Sequence, residues 1–100
     1  MAFQALERLT NLYDGYCRSY QIAGRPLLLI QQNGLRYLLL NQCPHQQMPL
    51  TRGRLGDDFI QCPRHGMRFN LITGATADGC SHRLQYFKLC YDGATIGIDL

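Results

Sequence analysis

The sequence has no apolar run long enough to cross a membrane. Its longest aliphatic stretches are Leu27-Leu28-Leu29-Ile30 and Leu38-Leu39-Leu40, whereas a spanning helix needs about 20 apolar residues. Low-complexity tracts are absent, and with 46% apolar and 17% charged residues the chain reads as globular rather than disordered. The opening "MAFQALERLT" has neither the basic start and apolar stretch of an export signal nor a small-residue cleavage site, so a cytoplasmic protein is expected. Excess charge is scarce too: the net charge is +3, and nine of the ten basic residues are arginine. So few basic residues, with no recognition helix among them, argue against nucleic acid as a partner. Helical periodicity is weak everywhere, and its best candidate, Ala5 to Asn11, is too short to carry a fold. One hundred residues make a single domain, 1–100, with no room for a second of ordinary size.

Short strand-like runs separated by turn signals fill the rest. Tyr16 to Ile22 alternates, with Tyr16, Arg18, Tyr20 and Ile22 on one side, and Ala23-Gly24 follows as a turn. Leu27 to Gln31 and Leu35 to Leu40 flank Asn33-Gly34, a hairpin signal because both residues tolerate positive φ. Leu84 to Tyr91 and Thr95 to Leu100 flank Asp92-Gly93 in the same way. The fold class expected is all-β, made of antiparallel sheets. Between the two meanders, residues 41–82 hold three of the four prolines, with only short strand candidates at Asp58 to Gln61 and Phe69 to Leu71. Ordering such a loop-rich insertion costs about 1 to 2 kcal/mol of backbone entropy per residue, so something must cross-link it. A bound metal centre would do so.

Five cysteines is an odd count, and cytoplasmic thiols stay reduced, so a disulfide framework is not expected. Cys17 and Cys90 lie in strand patterns and read as buried, inert thiols. Cys80-Ser81-His82 is a Cys-x-His with no partner pair after it, and is not taken as a ligand pair. Cys43-x-His45 and Cys62-x-x-His65 differ from these: each pair sits with a proline in a turn-like segment, and sixteen residues separate His45 from Cys62. Two thiolates and two imidazoles suit tetrahedral zinc or an iron-sulfur centre. Zinc sites usually pair Cys with Cys and His with His, often with one pair on a helix; here both pairs are mixed and neither follows a helical pattern. Arg52, Arg54, Arg64 and Arg68 fall in or near the two segments, either as solvated loop residues or as a basic collar that steers an acidic protein partner. Met48, Met67 and Pro63 read either as a shield and brace around such a centre or as ordinary loop packing. Tyr86, Phe87 and Tyr91 read as core and sheet-face residues, and Asp57-Asp58 as a turn.

With "CPHQQMPLTRGRL" and "IQCPRHGMRFNLITG" the sequence resembles the Rieske iron-sulfur family, down to Leu50, Gly53, Gly66, Phe69 and Gly74 around the ligand pattern. With the flanking meanders, the resemblance covers nearly the whole chain. It implies a Rieske-type fold, a β base sandwich into which a small cluster-binding subdomain of about 41–82 is inserted. It also implies one 2Fe-2S cluster, with Cys43 and Cys62 on one iron and His45 and His65 on the other. Neutral imidazoles leave less negative charge to resist an added electron, which is why Rieske centres span about −150 to +300 mV against about −400 mV for plant-type ferredoxins. The high-potential members carry a loop disulfide, a hydroxyl residue two positions after the second histidine, and a tyrosine two further on. Here those two positions are Met67 and Phe69, and the extra cysteines are missing. A hydrogen bond to a charged acceptor is worth about 1.5 to 3 kcal/mol, or about 60 to 130 mV per electron. A potential near the low end of the family range is therefore expected, even against the nearby arginines.

The resemblance implies a soluble, monomeric one-electron carrier rather than an enzyme. Such a carrier would be the ferredoxin component that takes electrons from a flavin-dependent reductase and passes them to a ring-hydroxylating type of oxygenase. The alternatives are the small subunit of a cytoplasmic NAD(P)H-dependent nitrite reductase and, from another class, a zinc-stabilised binding module.

Overall fold

The computed structural model describes residues 2–43, 48–63, 66–76 and 83–99. The strands are β1 (Phe3–Arg8), β2 (Tyr16–Ile22), β3 (Arg25–Gln32), β4 (Leu35–Leu40), β5 (Arg54–Leu55), β6 (Phe59–Gln61), β7 (Arg68–Asn70), β8 (Cys90–Asp92) and β9 (Thr95–Asp99). They form three antiparallel sheets, ordered β1-β9-β8, β2-β3-β4 and β5-β6-β7. The all-β, antiparallel architecture expected from the sequence is the one observed. The third sheet falls inside residues 41–82, and the other two form the base.

Strand β3 explains the leucine run. Leu27, Leu28, Leu29 and Ile30 are all at most 1% exposed, because both faces of the strand are covered. Leu28 and Ile30 pack with Leu39, Leu50, Ile60 and Phe69, while Leu27 and Leu29 pack with Leu38, Ile96 and Ile98 on the other side. A strand buried on both faces has no use for alternation and reads as a continuous apolar run. Each such side chain contributes about 1.5 to 3 kcal/mol by leaving water.

The hairpins of this sheet close as their turn residues require. Ala23 and Gly24 have φ of 52° and 77°, Asn33 and Gly34 of 54° and 76°. Two consecutive positive φ values match the right-handed twist of the flanking strands, and the register runs to Ile22↔Arg25 and Gln32↔Leu35.

Two segments depart from the sequence reading. Ala5 to Asn11 is not helical: β1 runs to Arg8, and only Leu9–Asn11 makes a 3-10 turn. The strand is stabilised by pairing with β9 at the far end of the chain and by Leu6, Leu9 and Leu12 packing on the core that holds Ile96 and Ile98. Leu84 to Tyr91 is not one strand either. Its first part pairs with β4, through Leu40 N–H to Gln85 O (2.8 Å) and Phe87 N–H to Leu38 O (2.7 Å). Only Cys90–Asp92 pairs with β9, and the turn falls at Gly93-Ala94 rather than Asp92-Gly93. One segment thus serves two sheets and ties them together.

Candidate metal centre

The described ends of the two cysteine-bearing segments are joined in the same way. Cys43 leaves β4 through Asn41-Gln42, and its N–H donates to the Met48 carbonyl (2.7 Å). Cys62 leaves β6, and its N–H donates to the Met67 carbonyl (2.8 Å). In each case a Cys-Pro start is closed back on a methionine five positions later. The amide hydrogen bond fixes the separation of the two ends.

The two thiols share one environment. Cys43 and Cys62 are 0% and 1% exposed and belong to a single apolar core with Leu28, Ile30, Leu39 and Phe69. His45 and His65 lie outside the described residues, as do Arg64 and Cys80-Ser81-His82. Among the described residues no group of three or more His, Cys, Asp or Glu side chains comes together. The structure therefore places both cysteines of the expected ligand set in one apolar core.

The other cysteines stand apart. Cys17 is half-buried rather than fully buried, at the margin of the same core, and burial pushes its thiol up to about 11. The raised pKa keeps the thiol protonated near neutral pH, but the full burial expected from the sequence is not observed, because β2 is an edge strand and leaves Cys17 partly open. Cys90 is also half-buried, on the short strand β8.

Polar anchors missed by the sequence reading hold the loops. Asn41, nearly buried, accepts the Thr51 N–H (3.1 Å) and donates to the Thr51 hydroxyl (3.3 Å), joining the start of the first loop to its end. After β7, the Asn70 carboxamide oxygen accepts the N–H groups of Ile72 (2.8 Å) and Thr73 (3.0 Å), and the Tyr86 hydroxyl donates to the Leu71 carbonyl. An asparagine followed by "LITG" is an Asx-turn signal that could have been read from sequence. Gly53 sits where a Cβ would collide with the Gln61 carbonyl, so β6 packs flush against the first loop's end. Tyr86 is thus a loop anchor with an exposed edge, Phe87 is a half-buried core residue, and Tyr91 is more exposed than a core residue would be. Asp57-Asp58 is a bend whose carbonyls accept from Asn33 and from Leu71 N–H, as a turn would. Pro63 is exposed on the rim, while Met67 is half-buried against the thiol-bearing core.

The Rieske [2Fe-2S] domain model matches residues 2–88. The chain belongs to this family. It is 34% identical over 74% of its length to the human apoptosis-inducing factor 3, of which it spans only 12%. It is 32% identical over 72% of its length to ferredoxin CarAc of Metapseudomonas resinovorans, covering 68% of that protein. Among solved structures, the complex of reduced oxygenase and oxidized ferredoxin in carbazole 1,9a-dioxygenase contains a chain that superposes with a TM-score of 0.81 at 25% identity, covering 93% of this chain and 97% of that one.

The cofactor of this Rieske domain is a Rieske-type [2Fe-2S] cluster. The residues present fit it. Two cysteine thiols, ligands of the right softness for iron-sulfur chemistry, sit in one dry core at the feet of two matched loops. Phe69 is fully buried in the same core, and neither it nor Met67 has a hydroxyl to donate. Among the described residues no helix is long and apolar enough to cross a membrane.

Proposed function

We propose that this Rieske protein is a one-electron carrier, the ferredoxin component that passes electrons from a flavin-dependent reductase to a terminal oxygenase, and that it has no catalytic residues of its own. The observation that carries this reading is the pair of matched loops that sink Cys43 and Cys62 into one apolar core. In the proposed ligand set Cys43 and Cys62 hold one iron and His45 and His65 the other. The bound cluster supplies a centre that accepts and returns one electron at a time. The chain's own residues do the rest. Leu28, Ile30, Leu39 and Phe69 exclude water from the thiolates, and the paired amides of the two cysteines hold the loops at one spacing, so little needs to reorganise when charge arrives. Residues 41–82 act as the cluster-binding subdomain on a base of the other two sheets.

The ferredoxin reading is supported by the similarity to a free-standing ferredoxin along most of that protein's length, and by the carbazole dioxygenase complex, in which the matched chain is a ferredoxin beside its oxygenase. The test is direct. Purified protein is expected to be reddish-brown, to contain two irons and two acid-labile sulfides per chain, and to bleach with dithionite at a midpoint near the low end of the family range, about −150 mV. A colourless preparation fully loaded with zinc would overturn the carrier reading. A midpoint well above zero would overturn the low-potential part alone.

A further inference from the structure

The antiparallel register of the third sheet places Arg54 opposite Gln61 and Gln61 opposite Arg68. Residues directly paired across antiparallel strands project from the same face, so the two arginines and the glutamine form one row across all three strands. The alternate residues Leu55, Ile60 and Phe69 point the other way, into the thiol-bearing core. Adjacent strands lie about 4.8 Å apart, which puts the two arginine Cα atoms about 10 Å apart with Gln61 between them. Both arginines are exposed. Arg68 lies 4.5 Å over the Phe59 ring, which holds its guanidinium in place. Among the described residues, the only ion pair is Arg18 with Glu7, so neither arginine of the row has a carboxylate partner there. Beside Arg68 opens a cleft of about 400 Å³ whose polar wall is Asp58, Asn70, Thr73 and Thr76.

Cys62 immediately follows Gln61. A Cβ on Gly66, inside the second loop, would fall 2.9 Å from the Gln61 carboxamide nitrogen. The glutamine, itself a member of the row, therefore reaches the loop that carries Cys62. A partner engaging this row sits beside the proposed ligand Cys62.

We infer that the outer face of the β5-β6-β7 sheet is the docking surface for an acidic protein partner, whose carboxylates engage Arg54 and Arg68 on either side of Gln61. This deepens the carrier reading and rests on it. Charge complementarity selects the occupant. Two guanidinium forks without a carboxylate partner among the described residues, on Cα atoms about 10 Å apart, match carboxylates bidentately. A second copy of this chain is a poor match, because it carries seven acidic residues against ten basic ones.

The experiment uses the cluster-loaded protein and measures by stopped flow its reduction by an acidic flavodoxin. The double variant R54E/R68E is compared with R8E/R25E, which makes the same change in net charge on exposed residues of the base. We expect R54E/R68E to slow reduction about tenfold or more at low ionic strength, with the difference collapsing in about 0.5 M salt, as screening requires. R8E/R25E should stay within about threefold of the parent. Equal slowing by the two pairs would overturn the proposal, because net charge alone would then govern the encounter. Unchanged rates in both would overturn it as well. If light scattering shows the parent to be a dimer that R54E/R68E dissociates, the face belongs to a second copy and the proposal falls. Should R54E/R68E fold poorly by circular dichroism, R54Q/R68Q is compared with the charge-matched R8Q/R25Q, and we expect about threefold slowing in the first against no measurable slowing in the second; equal slowing would overturn the proposal. Reduction by free reduced flavin, which needs no docking face, separates the two readings: a protein that never becomes reduced has lost the carrier function, whereas one reduced normally with an unchanged flavodoxin rate has lost only the docking proposal.

Discussion

Strand β3 divides two cores that look alike by burial and differ in how they are closed. On one side Leu27, Leu29, Leu38, Ile96 and Ile98 pack with Tyr16 between two sheets of the base. That core is closed by chain alone, with paired strands on both faces. On the other side Leu28, Ile30 and Leu39 pack against Cys43, Cys62, Leu50 and Phe69, under a sheet whose strands are only two or three residues long. Strands that short are below the usual length for independent stability, and the loops above them must be ordered at an entropic cost. The first core is held by apolar packing, while the proposed ligand set makes the second depend also on the metal its two thiols hold. That ligand set predicts a scaffold that folds by itself and a site that orders around its cofactor.

The largest effect should come from taking the proposed cofactor ligands away. Replacing Cys43 or Cys62 with Ser should abolish the visible absorbance entirely. Amide exchange in residues 48–63 and 66–76 should accelerate by about a hundredfold or more, while the amides of β3 and β9 remain protected. Metal-linked ordering of this kind releases its site when the metal is lost. Exchange that accelerates equally in β9 would show that the two cores fold as one unit and that the comparison is wrong.

A smaller effect should sharpen the same contrast from within one strand. Leu28 and Leu29 are adjacent and both 0% exposed, but face opposite cores. Leu→Ala at either should cost about 2 to 5 kcal/mol, read as a drop in urea midpoint at unchanged slope. Only L28A should also speed cluster loss under chelator. Equal rates of cluster loss in the two variants would mean that the partition at β3 does not insulate the site.

How much of this was legible in the sequence follows the range of the contacts involved. The Asn33-Gly34 hairpin and the strands beside it were readable because a turn and its two strands are neighbours in the chain. The Cys43 and Cys62 segments stood out because each sets rare residue types, a cysteine and a histidine, at a short fixed spacing; their proposed role as ligands rests on that spacing and on the core the two thiols share. Strand β1 was missed because its partner β9 lies at the other end of the chain, and a lone segment such as "FQALER" carries no trace of that pairing. Leu84 to Tyr91 was read as one strand because periodicity cannot show that its halves bond to different sheets. The arginines of the third sheet were visible as composition. Their alignment across three strands was not, because register belongs to the pairing and not to any one strand.

Glu7 offers a test of the base by pH. Its carboxylate accepts the Asn11 amide, the Arg8 N–H and the Tyr16 hydroxyl, each at 2.9 Å, and pairs with Arg18 at 3.5 Å. It thereby joins β1 to β2 across two sheets. These hydrogen bonds, led by the one from Asn11, hold its pKa below the usual value of 4.5. A carboxylate depressed in the folded state stabilises above its unfolded pKa and loses that contribution as pH falls through the folded one. The urea midpoint should therefore decline on acidification below about pH 4.5, the unfolded carboxylate range. In E7Q that decline should shrink, with the cluster spectrum untouched. An identical acid profile in E7Q would assign the acid sensitivity to other carboxylates.

The smallest effect concerns reactivity. Cys17 sits at the margin of the thiol-bearing core without belonging to the proposed ligand set. With its thiol pushed up to about 11 by burial, the thiolate fraction at pH 8 is about a thousandth, against about a quarter for a free cysteine of pKa about 8.5. Iodoacetamide should therefore label Cys17 about a hundredfold more slowly than a free thiol at that pH, as followed by mass spectrometry, and C17A should leave the midpoint potential and the visible spectrum unchanged. Rapid labelling of Cys17 in the cluster-loaded protein would mean that water passes the half-buried Cys17 into this core. The dry environment that the structure gives to Cys43 and Cys62 would then be open on the β2 side.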